Sequence, residues 1–139
     1  MIGRLDDYLR EVANDSRASL ADADLKQAGL AVVKRAYSLY QERGYDAVLL
    51  IAALRGTYHL TELAGASVVM SIHPAYQEPL LSTDLPREPG IGRPVPTDVI
   101  ERLRQIPDFT RAYEPDLLRP EEFITFGATQ RTLSQFAEA

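Results

Sequence analysis

The sequence predicts an α/β fold in which two parallel strands flank one short helix. Residues 46–53 (DAVLLIAA) and 67–72 (SVVMSI) are apolar runs without alternation, as expected of strands that are buried on both faces. Residues 54–57 break the first run, and the threonine at the end of this turn can cap a helix over residues 58–64. Gly65 can end that helix. Strand, helix and strand together form one βαβ unit.

Two helices are predicted ahead of the first strand. Apolar residues at helical spacing predict a helix over residues 5–13 and a longer one over residues 23–43. Gly44 can end the longer helix, which leads directly into the first strand. An apolar pair, Gly3 and Arg4 precede the first predicted helix.

The segment after the second strand has a different composition. A helical turn is predicted over residues 75–81, followed by a proline- and glycine-rich loop over residues 82–97. A short helix is predicted over residues 99–106, and residues 109–118 have no regular pattern. Residues 119–138 begin with an Arg-Pro-Glu-Glu helix start and continue with an apolar stripe, so a C-terminal helix is predicted there.

Composition narrows the classes of function. A net charge of −5 and the lack of any basic tract argue against nucleic-acid binding. The chain has no cysteine, which excludes disulfides and thiolate sites, and its acidic and histidine residues lack metal-ligand spacing. We therefore expect no metal and no cofactor. No signal peptide and no membrane-length apolar run is evident, so a cytoplasmic protein without membrane contact is expected.

The central stretch resembles the C-terminal part of transaldolase, a class I aldolase built on a (β/α)8 barrel. The matching residues follow the family's order, and they are Gly44-Tyr45, the strand 48–53, the turn 54–56, Glu62-Leu63-Ala64-Gly65 and the strand 68–74. Three further segments resemble the helix before the family's seventh strand, the Gly-Arg after its sixth strand and its C-terminal helix. They are residues 32–44, Gly3-Arg4 and residues 123–136.

The resemblance implies a partial barrel with a phosphate site. It implies that the whole chain, residues 1–139, is the C-terminal segment of the barrel, and that Arg55 and Arg4 bind the phosphate of a substrate. Ala53, Gly56 and His73 are expected to line the same site. Of the family's Ser-Phe-Arg-Asn turn, only the arginine is retained here, because the sequence reads Ala-Leu-Arg-Gly.

The resemblance also implies that the covalent chemistry lies outside this chain. The family's Schiff-base lysine belongs to its fourth strand, and no counterpart of that strand is present. Lys26 and Lys34 both fall on the predicted long helix, so neither is expected to be catalytic, and no catalytic residue is assigned. His59, inside the short helix, is interpreted as structural.

Two hypotheses of function follow. The first is a fragment of a transaldolase-type enzyme of the pentose phosphate pathway, in which a second chain supplies the N-terminal barrel strands and the Schiff-base lysine. The second is a non-catalytic remnant, or a sugar-phosphate-binding module that closes its sheet by self-association.

Overall fold

The computed structural model describes residues 1–16 and 18–139. Its elements are α1 (Ile2–Asp15), α2 (Asp22–Leu25), α3 (Ala28–Arg43), β1 (Leu50–Ile51), α4 (Thr57–Leu63), β2 (Val69–Met70), α5 (Pro74–Ser82), α6 (Thr97–Leu103), α7 (Pro107–Tyr113), a 3-10 helix (Pro120–Thr125) and α8 (Gly127–Ala137). No helix within the described ranges combines the length and the apolarity needed to cross a membrane.

The two predicted strands pair in parallel. Leu50 lies opposite Val69, and Ile51 lies opposite Met70. The pairing extends slightly beyond these residues, because the amides of Val69 and Ser71 donate to the carbonyls of Leu49 and Ile51 at 3.0 and 2.8 Å. Helix α4 connects the two strands, so the predicted α/β arrangement of two parallel strands among helices is confirmed.

The prediction that both strands are buried on both faces is wrong. Ile51 is only 4% exposed on the helix-packed face, whereas Leu50 and Val69 are 62% and 53% exposed on the opposite face. Val48 shares that exposed face, since side chains alternate along a strand. We call Val48, Leu50 and Val69 the open sheet face. The helices of the described chain cover one side of the sheet and leave these three residues uncovered.

Helix α1 begins at Ile2, three residues before the predicted start. The amides of Ile2 and Gly3 donate to the carbonyls of Ala52 and Ala53, both at 3.0 Å. The first amides of a helix have no partner within the helix, and the end of β1 satisfies them here. A side chain at Gly3 would collide with the carbonyl oxygen of Ala53, so glycine permits this close approach.

The predicted helix over residues 23–43 is two helices, α2 and α3, separated at Lys26 and Gln27. The carboxylate of Asp6 accepts the amide of Gly29 at 2.7 Å, and this contact satisfies a donor in the first turn of α3. Gly44 ends α3 with a φ of 62°, as predicted. This left-handed conformation favours glycine.

The region after α5 differs most from its prediction. Residues 109–118 were expected to be irregular, yet Phe109 lies in α7 and is completely buried. A proline at the first position of α7 suits a helix start, and the Phe109 and Tyr113 rings stack one turn apart with centroids at 5.4 Å. The predicted C-terminal helix is divided at Phe126 into the 3-10 helix and α8.

Two apolar clusters hold the helices and the sheet together. The larger lies among α1, α2, α3, α6 and α7, with Leu9, Leu103 and Phe109 at its centre. The smaller joins β1 and α4 to the starts of α1 and α3 through Ile51 and Leu63. Of the apolar stripe predicted for the C-terminal helix, Phe126 is buried, whereas Phe123, Leu133 and Phe136 are exposed.

The proline- and glycine-rich loop is anchored to the helices. The amides of Gly90 and Ile91 donate to the carbonyl of Ala64 at 2.9 and 3.1 Å. The buried Lys34 ammonium donates to the carbonyls of Gly90 and Arg93, at 3.1 and 2.6 Å, and to the Glu62 carboxylate at 2.8 Å. Lys34 is therefore a structural residue that connects α3, α4 and the loop.

Replacing Lys34 with methionine is expected to lower the free energy of unfolding by about 1–3 kcal/mol, because buried acceptors lose their donor. Urea denaturation of the full chain measures this change. Lys26→Met is the matched control, since Lys26 is exposed and pairs only with Asp22 among the described residues. An exposed pair contributes about 0–1 kcal/mol. Equal losses in the two variants would contradict the structural role of Lys34.

Candidate functional site

An open hollow of about 670 Å³ lies at the carboxyl ends of the two strands. It is formed by the residues that follow β1, the residues that follow β2 and the first turn of α5. Its lining residues are Ala53, Leu54, Arg55, Ser71, Ile72, His73, Pro74, Ala75 and Tyr76. Ligands of parallel α/β folds bind at this end of the strands.

The turn after β1 has an unusual backbone. Ala53 has a φ of 59°, a left-handed conformation that is uncommon for residues other than glycine. Its carbonyl accepts the amide of Gly3 at 3.0 Å and the Nη1 of Arg55 at 3.1 Å. Such conformations concentrate at functional sites, where surrounding contacts hold them in place. The strained turn thus fixes the position at which the Arg55 side chain leaves the strand end.

The Arg55 guanidinium donates to three acceptor groups, one carboxylate and two backbone carbonyls. Its Nε and Nη2 donate to the Asp7 carboxylate at 3.1 and 2.7 Å, and its Nη1 donates to the carbonyls of Ala53 and Leu54. The hydrogen bonds to Asp7 raise the pKa of Arg55 above its ordinary value. The side chain is 38% exposed, so it is accessible from solvent.

A buried Asp6–His59 pair supports the backbone of this turn. His59 Nδ1 accepts the amide of Arg55 at 3.1 Å, so the neutral ring carries its proton on Nε2. That nitrogen lies 3.2 Å from Asp6 Oδ2, and both side chains are almost fully buried. The two atoms are within ion-pair distance, but among the described residues neither has a hydrogen-bond partner. His59 therefore has the structural role that the sequence indicated, and Asp6 is a supporting residue that the sequence analysis missed.

His73 has a capping role at the edge of the hollow. Its Nδ1 accepts the amide of Ala75 at 3.2 Å, which satisfies a donor in the first turn of α5. When the ring is neutral, its Nε2 carries the proton. His73 and Ala53 thus line the same hollow as Arg55, whereas Gly56 precedes α4 and is not among the lining residues.

Arg4 lies beside a different hollow. A second, mainly apolar hollow of about 370 Å³ is formed by residues of α1, α3 and α8 together with Phe126, and Arg4 is one of its lining residues. The Arg4 Nη1 donates to the Gln135 side chain, and its guanidinium carbon lies 4.7 Å from the centre of the Phe136 ring. The structure therefore does not bring Arg4 and Arg55 into one hollow.

Neither lysine lines either of these two hollows. Lys26 is exposed and pairs with Asp22, and Lys34 is buried among its three acceptors. Among the described residues, no group of three His, Asp or Glu side chains is arranged to hold a metal ion.

Tyr58, next to His59, makes the free energy of unfolding depend on pH. Burial, followed by the nearby Asp6 charge, raises the pKa of Tyr58 from 10.0 to about 12. The folded state thus favours the neutral phenol, so this contribution to stability is complete below pH 10 and is lost between pH 10 and about 12. The free energy of unfolding should fall less steeply with pH in Tyr58→Phe than in wild type. Equal slopes would contradict this account.

Comparison with known proteins identifies a family. Residues 1–116 match the family described as transaldolase/fructose-6-phosphate aldolase. The match includes both strands, the turn that carries Arg55 and the whole hollow around it. It ends before the 3-10 helix and α8, so the resemblance of those residues to the family's C-terminal helix stays a prediction. No curated protein and no solved structure matches the chain. Because the family match covers most of its length, the chain belongs to the transaldolase/fructose-6-phosphate aldolase family.

Proposed function

We propose that this chain is the C-terminal segment of a (β/α)8 aldolase that acts on sugar phosphates, and that Arg55 binds the substrate's phosphate group. The observation that carries the proposal is the position of Arg55 in a hollow at the carboxyl ends of two parallel strands, within the family match. Loops after the last strands of such barrels commonly bind phosphate. A planar guanidinium matches phosphate oxygens in a bidentate geometry.

The other residues predicted to form the phosphate site have different roles. Ala53 and His73 line the hollow beside Arg55, and the proton on His73 Nε2 is available to a phosphate or hydroxyl oxygen. Gly56 follows Arg55 in an extended conformation and directly precedes α4. Arg4 would join the phosphate site only by leaving its contacts with Gln135 and Phe136.

The covalent step belongs to a lysine outside these 139 residues. A Schiff-base lysine needs a depressed pKa and access to the substrate carbonyl. Lys34 is occupied by a carboxylate and two carbonyls, and Lys26 lies on the surface beside a carboxylate. The chain's own contribution is binding energy, because a phosphate held by Arg55 positions the reacting carbonyl.

The exposure of the open sheet face is an argument for a partner chain that supplies the remaining strands of the barrel. Val48, Leu50 and Val69 form an exposed apolar surface on the side of the sheet that faces the interior of a closed barrel. We propose that a second chain carries the N-terminal strands and the lysine, and packs against this face. The resulting enzyme would act in carbohydrate metabolism.

Borohydride reduction in the presence of fructose 6-phosphate tests whether the Schiff-base lysine belongs to a second chain rather than to this one. The purified chain alone should gain no covalent adduct, whereas a chain that co-purifies with it from its native cells should be labelled on a lysine. An adduct on Lys26 or Lys34 of the isolated chain would contradict the proposal. So would the absence of a labelled partner from every native preparation that contains this chain.

The open sheet face also favours a second candidate function, a sugar-phosphate-binding module that covers this face by self-association. Sedimentation of the purified chain separates the two candidates. Self-association that is lost in Leu50→Lys would favour the module, and a monomer that assembles only with a lysine-bearing chain would favour the enzyme.

A further inference from the structure

Most donors of the Arg55 guanidinium are already used. A guanidinium has five N–H groups. The Nε group and one Nη2 group donate to Asp7, and Nη1 donates to two backbone carbonyls. Within the described residues one Nη2 hydrogen is left for a ligand. Bidentate binding of a phosphate therefore requires that at least one of the present acceptors be displaced.

Asp7 is the acceptor that can be displaced. Its carboxylate is 28% exposed and projects from α1, so it can rotate into solvent without leaving a buried group unpaired. The carbonyls of Ala53 and Leu54 belong to the fixed backbone of the turn. Asp6, the neighbour of Asp7, is buried and held by the amide of Gly29 and by His59.

The Asp7 carboxylate occupies an anion position between two arginines. It lies 2.7 Å from Arg55 Nη2 and 3.7 Å from Arg10 Nη1. Phosphate oxygens bind a guanidinium fork with the geometry that a carboxylate uses. A ligand phosphate on Arg55 would thus take the place of the Asp7 oxygens and also approach Arg10.

We propose that Asp7 limits the anion affinity of Arg55, because its carboxylate occupies the position that the substrate's phosphate takes. This inference rests on the proposed function, and it adds that the Asp7 carboxylate competes with the phosphate for Arg55. Every anion that binds the Arg55 fork must displace the same carboxylate, so Asp7 lowers the affinity for phosphate esters and for carboxylates alike.

Titration of the full chain with inorganic phosphate tests the proposal, with the backbone amide signals of positions 55 and 75 in proton–nitrogen NMR as the readout, since these signals are present in every variant. Asp7→Asn keeps the size of the side chain and removes its charge. The variant should bind phosphate about two- to fivefold more tightly than wild type, the change expected when an exposed ion pair no longer competes. Acetate binding should increase by the same factor, since both anions lose the same competitor.

Asp98→Asn is the matched control. It removes the same charge from a carboxylate paired with an arginine, Arg102, on the surface of α6. Phosphate affinity in this variant should stay close to the wild-type value. Asp7→Ser repeats the test with a smaller side chain, and its thermal midpoint shows whether the fold is kept.

The outcomes separate the two proposals. Unchanged or weaker phosphate binding in both Asp7 variants would overturn the competitor role and indicate that Asp7 orients Arg55. If Arg55→Gln leaves phosphate binding unchanged in wild type and in Asp7→Asn, the proposed phosphate site at Arg55 fails as well. A gain in Asp7→Asn that is lost on adding Arg55→Gln supports both.

Discussion

Replacing Arg55 with glutamine is expected to weaken the binding of fructose 6-phosphate to the full chain about tenfold or more. Hydrogen bonds to charged groups contribute about 1.5–3 kcal/mol, and about 1.4 kcal/mol corresponds to tenfold in affinity. Glutamine keeps some hydrogen-bonding capacity but loses the charge and the fork of donors. Calorimetry of the wild type and the variant measures the difference. Arg55→Lys should fall between them, because an ammonium keeps the charge without the bidentate geometry.

Arg43→Gln is the control for this prediction. Arg43 is an exposed arginine at the end of α3, and its replacement changes the net charge by the same amount. Its affinity for the sugar phosphate should stay near the wild-type value. Equal weakening in Arg43→Gln and Arg55→Gln would show that net charge, rather than the geometry at the strand ends, governs binding.

Replacing Phe109 with alanine is expected to lower the free energy of unfolding by about 3–5 kcal/mol. The ring is completely buried at the centre of the larger apolar cluster and stacks on Tyr113. Its loss removes apolar burial and leaves a cavity among α1, α3 and α7. Total stabilities of domains are about 5–15 kcal/mol, so this loss is a large fraction of the total. Urea denaturation followed by circular dichroism measures the change.

Phe123→Ala provides the comparison for Phe109. Phe123 belongs to the 3-10 helix and is exposed, so its replacement should change stability by no more than about 0.5 kcal/mol. A loss in Phe123→Ala as large as that in Phe109→Ala would mean that the 3-10 helix is covered in solution. An unchanged free energy of unfolding in Phe109→Ala would contradict the position of Phe109 at the centre of the larger cluster.

The strands illustrate what an apolar pattern can and cannot report. Residues 46–53 and 67–72 predicted two parallel strands with a helix between them, and the structure has this pair, but each strand is only two residues long, Leu50–Ile51 and Val69–Met70. The same runs predicted burial on both faces, and Leu50 and Val69 are exposed. An apolar run is typical of a strand with covered faces, but it does not identify the residues that cover each face. The helices described here cover only the face that carries Ile51.

Only those parts of the candidate site that directly follow a predicted strand could be predicted from the sequence. Arg55 directly follows a predicted strand, so its place at the carboxyl end of the sheet could be read from the sequence. Its partner Asp7 is 48 residues away, and nothing in the spacing of a single sequence indicates that pairing. The same holds for Asp6 and His59. Adjacent acids at the start of a helix point to different sides, and only the fold decides which is buried.

The start of α1 shows how a tertiary contact overrides a local pattern. Helical periodicity begins at Leu5, and Gly3 is a poor helix residue. Carbonyls at the end of β1 accept the first amides and extend the helix back to Ile2. The division of the C-terminal helix at Phe126 has a comparable origin, since this side chain is buried beside Tyr8 in a T-shaped contact.

A chemical-shift map of the full chain titrated with fructose 6-phosphate tests the central claim most directly. The account predicts that the largest changes in proton–nitrogen NMR fall on the amides and side chains around the hollow at the strand ends, above all on Arg55 and His73. Changes confined to the hollow beside Arg4 and α8, or the absence of changes at Arg55 under saturating ligand, would contradict it.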